Sequence, residues 1–206
     1  MHQKMSPMQH GFCSGRSCLS QLLEHHNKIL EELEKPNNVD VIYLDFAKAF
    51  DKVDHSILLN KLKKIGINGK ICVWKHNFLS NRQQCVAVNG TTSSEAQVRS
   101  DVPQGWVLGP LLFLIHISDI NYEIADSTVS CFADDTWTLL GINDEDDTQM
   151  LQNDLHKPYK WADTNNMKFN DKFELLRYGK EQEIKSQQLR NHMMIQTSTT
   201  KNKSEI

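Results

Sequence analysis

Val39-Asp-Val-Ile-Tyr-Leu-Asp45 and, much further along, Thr128-Val-Ser-Cys-Phe-Ala-Asp-Asp-Thr-Trp-Thr-Leu-Leu140 are the two stretches that decide the fold. The first is rich in β-branched and large apolar residues, follows Pro36 and an Asn37-Asn38 turn, and is short enough to be a buried strand. The second alternates apolar and polar residues on either side of Asp134-Asp135, which is the pattern of a hairpin with two carboxylates at its turn. Asp45 ends an apolar strand, so it sits at the sheet's edge, where α/β proteins commonly put chemistry.

Working outward, Leu19, Leu22, Leu23, Ile29, Leu30 and Leu33 recur at helical spacing, predicting an amphipathic helix over Ser17–Glu34. Helices are also expected over His55–Ile65, Lys70–Leu79 and from Leu108 to about Asp119, with Gly66 and Asn68-Gly69 as punctuation. Gln84–Gly90 and a stretch near Ala96–Val102 alternate like a two-stranded ribbon joined by a polar loop. Asp147–Asn165 reads as a helix with a kink or break at Pro158, and Met167–Phe169 with Phe173–Tyr178 as a last hairpin. No internal repeat is present. The fold class expected is α/β (α+β), with helices packed on a small antiparallel sheet.

The chain has 206 residues, 39% hydrophobic and 24% charged, with a net charge of -3. That composition excludes disorder throughout. It also argues against a self-sufficient nucleic-acid binder, which needs a surplus of Lys and Arg on one face. The longest apolar run, Val107–Ile117, is interrupted by Gly109, Pro110 and His116 and falls short of the roughly 20 residues that span a bilayer, so no membrane segment is expected. Five cysteines, at 13, 18, 72, 85 and 131, form no C-x-x-C pair, and the nine histidines show no zinc spacing. A reduced intracellular setting, nucleus or cytoplasm, is the expectation.

Adjacent acidic pairs arise by chance in a chain with 26 acidic residues, so context must discriminate. Glu31-Glu32 lies on an outer helix face and Asp144–Asp147 begins a helix, where negative charge is favoured. Asp134-Asp135 is flanked by apolar strand residues instead. Carboxylates beside a buried sheet are unfavourable unless something positive compensates, although an ordinary acidic turn remains open. If the two stretches are sheet neighbours, Asp45, Asp134 and Asp135 meet at one edge. Such oxygen ligands suit Mg²⁺ or Mn²⁺, and two ions roughly 4 Å apart suit in-line nucleotidyl transfer. Asp51, at a strand-to-helix transition, reads as a capping or structural carboxylate.

Four ordered segments, Gln9-His-Gly-Phe-Cys-Ser-Gly-Arg-Ser-Cys18, Val41–His55, Val102-Pro-Gln-Gly-Trp-Val-Leu-Gly-Pro-Leu-Leu-Phe113 and Phe132-Ala-Asp-Asp135, closely resemble the reverse transcriptase of jockey-like non-LTR retrotransposons. The resemblance spans 9–179 and implies a polymerase right-hand palm. Residues 1–8 are expected to be an N-terminal tail, and 180–206, where the apolar pattern stops and Gln, Lys, Ser, Thr and Asn dominate, a disordered one. It implies an RNA-directed DNA polymerase using Mg²⁺, with an RNA template, a DNA primer and deoxynucleoside triphosphates as partners. Asp45 matches the first metal-ligand motif, and Asp134 and Asp135 match the hairpin pair. Phe50 matches the steric gate against a ribose 2′-OH, and Gln104 and Gly105 match the nucleotide and template pocket. Arg82 matches a basic residue before the ribbon, and Lys172 a phosphate-contacting or proton-donating lysine.

Departures from the family are Cys13, Asp101 in place of Gly, Trp106, His116 in place of Tyr, and Pro158. Glycine can supply a positive φ or a close approach, so Asp101 bears most on the pocket. Fingers and thumb are expected to be largely missing, their parts supplied by another chain if at all, and activity of this fragment alone is expected to be weak or nil. The rival reading is a catalytically inert remnant or a domesticated nucleic-acid- or protein-binding module.

Overall fold

Strands β1 (Asn38–Leu44) and β7 (Asp135–Ile142) form the middle of a four-stranded antiparallel sheet, flanked by β8 (Glu174–Tyr178) beside β1 and β6 (Thr128–Phe132) beside β7. The computed structural model describes residues 6–179 apart from 80, 81, 99, 103, 104, 106, 122 and 171–173. Side chains alternate across the sheet with period two. On one face Ile42, Leu44 and Leu175 pack with Leu151 and Leu155 of α5 (Glu145–Thr164). On the other, Val39, Val41, Trp137 and Leu139 pack with Ile29 of α1 (Cys18–Leu33). A third cluster joins α2 (His55–Lys64) to α4 (Leu108–Ile117) through Leu58, Leu62, Leu112 and Phe113. Between these two helices comes α3 (Lys70–Leu79), followed by the ribbon.

Helix α1 starts at a Ser17–Ser20 capping box, as its spacing predicts, but it turns a different face to the sheet. His25 and Ile29 are buried, whereas Leu19, Leu22, Leu23, Leu30 and Leu33 are exposed. The His25 ring stands 4.5 Å from the Trp137 ring and shares a 2.7 Å hydrogen bond with the Tyr43 hydroxyl. A tilted ring contact with Trp137 and an edge contact with Tyr43 are thus chosen over the leucine stripe, which the sheet leaves uncovered.

Four other expectations need correction. The ribbon doubles back at Asn89-Gly90, both at positive φ, so β3 (Ala87–Val88) pairs with β4 (Thr91–Thr92) and β2 (Gln83–Gln84) with β5 (Ala96–Gln97). Asn-Gly is the strongest two-residue hairpin signal, and it falls inside the stretch expected to be one strand. The last hairpin does not form: β8 pairs with β1, and Phe169 bridges Phe46 at the strand's continuation, because both segments find a partner in the central strand rather than in each other. Helix α5 runs through Pro158 without a break, and the proline is buried. Tertiary packing offsets the one backbone donor lost there. The capping aspartate of α2 is Asp54, which accepts from the Ser56 and Ile57 amides, while Asp51 lies exposed in a short 3₁₀ turn.

His116 is fully buried in α4, and neither ring nitrogen has a hydrogen-bond partner among the described residues. Burial first, and the nearby Lys61 ammonium second, push its pKa down to about 4 against the opposing pull of Asp119 and Asp54. Between pH 6.5 and 4 the unfolded chain therefore binds a proton that the folded chain refuses, so stability falls as pH drops through that window. The shift corresponds to about 3 kcal/mol at most. His116→Phe is expected to flatten this part of the urea-denaturation profile; an unchanged slope between pH 6.5 and 4 would count against the assignment.

Candidate active site

The register of β1 on β7 ends at Leu44 opposite Thr136, and one further step sets Asp45 opposite Asp135. Phe132 pairs with Asp135, leaving Ala133 and Asp134 as a two-residue turn. Asp45, Asp134 and Asp135 thereby come to one end of the sheet, as expected for neighbouring strands. Their electrostatics agree. Burial, then the Asp45 charge, raises the Asp134 carboxyl above its ordinary pKa, and burial, then Asp134 and Asp45, raises Asp135. None of the three pairs with a cationic side chain among the described residues.

Asp45 has a partner that the sequence did not suggest. The Asn170 side-chain amide donates to its Oδ2 at 2.6 Å, and the Asn170 backbone N–H donates to its carbonyl at 2.8 Å. Asn170 precedes β8, so the strand that flanks β1 also steadies the end of β1. A pocket of about 760 Å³ opens over these groups, with Asp45, Asp135, Tyr43, Trp137, Asn170 and Glu174 in its wall.

The other expected site residues stand elsewhere or outside the description. Phe50 stacks on Phe113 with ring centroids 4.3 Å apart, against the helical core, and remains partly exposed. Arg82 is engaged by the Asp101 carboxylate through both terminal nitrogens. Asp101 has φ +139, a conformation that glycine adopts freely and other residues rarely do. The segment is held there by Asp101 N–H to Val53 O at 3.1 Å and by the His55 ring to Asp101 O at 2.8 Å. Gly105 is exposed with φ +80. Gln104 and Lys172 lie outside the described residues, as do Trp106 and the tail 180–206.

The donor set suits a hard divalent ion: three carboxylates, oxygen only, with the Asp134 and Asp135 carboxyls raised by burial and by neighbouring negative charge. They are not pre-assembled into a cage, because among the described residues no three acid, histidine or cysteine side chains approach that closely.

The family model described as reverse transcriptase (RNA-dependent DNA polymerase) matches residues 1–188. The chain belongs to the reverse transcriptase family. It is 32% identical over 142 residues to the probable RNA-directed DNA polymerase from transposon BS of Drosophila melanogaster, covering 66% of this chain and 16% of that protein. It is also 32% identical over 170 residues to the RNA-directed DNA polymerase from mobile element jockey of the same species, covering 79% and 18%. This reverse transcriptase chain therefore spans less than a fifth of the length of either of these two relatives. Among solved structures, apo telomerase from Candida tropicalis, truncated of its C-terminal domain, superposes with a TM-score of 0.61 at 13% identity, over 84% of this chain and 37% of that one. The likeness supports the palm-like fold of helices on a small antiparallel sheet. Reverse transcriptases in general use divalent metal ions.

Proposed function

We propose that this chain is the palm of an RNA-directed DNA polymerase in which Asp45, Asp134 and Asp135 hold divalent metal, Mg²⁺ or alternatively Mn²⁺. The observation that carries this reading is the meeting of Asp45 with the Asp134-Asp135 turn, unpaired by any described cation, in a chain of this family. Bound there, the ions would activate a primer 3′-hydroxyl and neutralise the triphosphate under attack. Asn170 keeps one Asp45 oxygen fixed. RNA template, DNA primer and deoxynucleoside triphosphates are the substrates this reading implies. Phe50 would lie against the sugar, and Gln104 and Gly105 would line the nucleotide and template pocket. Arg82 and Lys172 would meet phosphate, Arg82 only by exchanging its Asp101 partner for the incoming anion. A net charge of -3 supports a grip on primer-template supplied from outside this chain.

Primer extension on an oligo(dT)-primed RNA template with Mg²⁺ or Mn²⁺ tests the reading. Asp45→Asn is expected to reduce extension at least a hundredfold while leaving the chain folded. Equal extension by parent and variant would refute the role of Asp45. No extension by a folded parent would favour the inert-remnant reading.

A further inference from the structure

Gln9 is 5% exposed, and its side-chain amide grips one residue, Ala133, at both its N–H and its carbonyl. Its Oε1 accepts from the Ala133 N–H at 2.8 Å and from the Gly11 N–H at 2.7 Å, while its Nε2 donates to the Ala133 carbonyl at 3.2 Å. Ala133 is the first residue of the turn that carries Asp134 and Asp135, and it has φ +55, a left-handed conformation that alanine holds only where its surroundings impose it. Gly11 presses on the same point: a Cβ built on it would meet the Ala133 nitrogen at 2.3 Å.

The gripping segment is itself anchored. Gln9 lies parallel to Cys131 of β6, with His10 N–H donating to Cys131 O at 2.8 Å and Cys131 N–H donating to Met8 O at 2.9 Å. Arg16 donates to the Gln9 carbonyl at 2.8 Å, and the His10 ring meets Glu24 of α1 at 2.9 Å. A segment bridged to the edge strand β6 at Cys131, tied down by an arginine and a helix, thus presents a glutamine to the carboxylate turn.

We propose that Gln9 is the positioning residue of the Asp134-Asp135 turn, with Gly11 giving it room to close. The amide fixes the two peptide planes on either side of the Ala133 Cα, and those planes set the direction in which the two following carboxylates leave the hairpin. Gln9 touches no reacting atom; it acts through Ala133. The inference rests on the reading that these carboxylates hold a divalent ion.

The test is Mn²⁺ binding to the 206-residue chain, read by electron paramagnetic resonance of free Mn²⁺, with thermal melts in parallel. Gln9→Met keeps the volume and deletes all three hydrogen bonds; Gly11→Ala leaves Gln9 in place and displaces the turn. Both are expected to raise the Mn²⁺ dissociation constant at least fivefold in a folded chain, and Ala133 amide exchange is expected to accelerate in Gln9→Met. A dissociation constant within twofold of the parent for folded Gln9→Met overturns the proposal. If Gln9→Met fails to fold, Gly11→Ala decides by the same criterion, and failure of both to fold assigns the segment to folding and overturns positioning. Asp134→Asn separates the two levels: if it leaves Mn²⁺ binding unchanged, the ion reading itself fails, and the positioning role fails with it.

Discussion

Asp154→Ala is expected to lower stability by about 3–5 kcal/mol, the range for removing one partner of a buried charged network. The Asp154 side chain is fully buried in α5 and accepts from the Ala125, Asp126 and Ser127 backbone N–H groups at 3.2, 3.0 and 2.7 Å, and from Lys157 Nζ at 2.7 Å. Burial alone would raise its pKa. The Lys157 and Ser127 hydrogen bonds, with Ala125, outweigh it and hold the carboxyl down at about 2. Alanine would leave three amide donors without an acceptor in the turn that launches β6, the strand that delivers the carboxylate hairpin. Because the folded pKa is depressed, this contribution is complete above the unfolded value near 3.8 and is lost as pH falls toward 2. Urea denaturation at neutral pH checks the size; a loss below about 1 kcal/mol would show that the network contributes little.

The second large effect is expected at Asp40 and Arg177, a cross-strand pair of β1 and β8 whose side chains are 0% and 4% exposed. The guanidinium donates through Nε to Asp40 Oδ1 at 2.5 Å and through a terminal nitrogen to Oδ2. Asp40→Ala strands a buried cation and is expected to cost about 3–5 kcal/mol. The double change Asp40→Leu/Arg177→Met is expected to cost less than either single change, since it removes both desolvated charges together. A double variant as unstable as the sum of the singles would contradict this account. The pair matters to the site because β8 follows Asn170: fixing β8 on β1 keeps the Asn170 amide against Asp45.

Much of this arrangement is legible in the sequence. The helices begin and end within a few residues of their Ser17, Gly66 and Asn68-Gly69 signals because those signals are local: a cap, a stop, a turn. The β6–β7 hairpin is legible for the same reason, since alternation and turn lie in one continuous stretch. What the sequence hides depends on distant partners. The leucine stripe of α1 has the helical period but not the sheet contact, because Trp137 and Tyr43 favour His25. The β8 strand pairs with β1 rather than with its near neighbour, a choice made by an Asp40–Arg177 pair 137 positions apart in sequence.

The candidate site shows the same division. Asp45, Asp134 and Asp135 stand out as charges that close apolar strands, whereas Asn170 and Gln9 are neutral amides in unremarkable company. Their roles depend on what lies across the fold, an Asp45 carboxylate in one case and an Ala133 peptide in the other. For Gln9 a signal existed: it heads the Gln9-His-Gly-Phe motif, and a glycine two residues on permits a close backbone approach. Asp101 is the converse case. Its positive φ is the geometry that a glycine would have supplied, retained here by an aspartate that turns its carboxylate to Arg82.

That the three carboxylates at the end of β1 and the β6–β7 turn form one divalent-cation site is tested most directly by Mn²⁺ titration of the parent chain against Asp134→Asn/Asp135→Asn. Removing two carboxylates whose charged forms are disfavoured by burial and by the Asp45 charge relieves that penalty, so the double variant should melt at or above the parent's temperature. The parent should bind Mn²⁺, more weakly as pH falls and the carboxyls protonate, and the double variant should lose at least a hundredfold in affinity. Equal Mn²⁺ affinity in the two folded proteins would contradict the account.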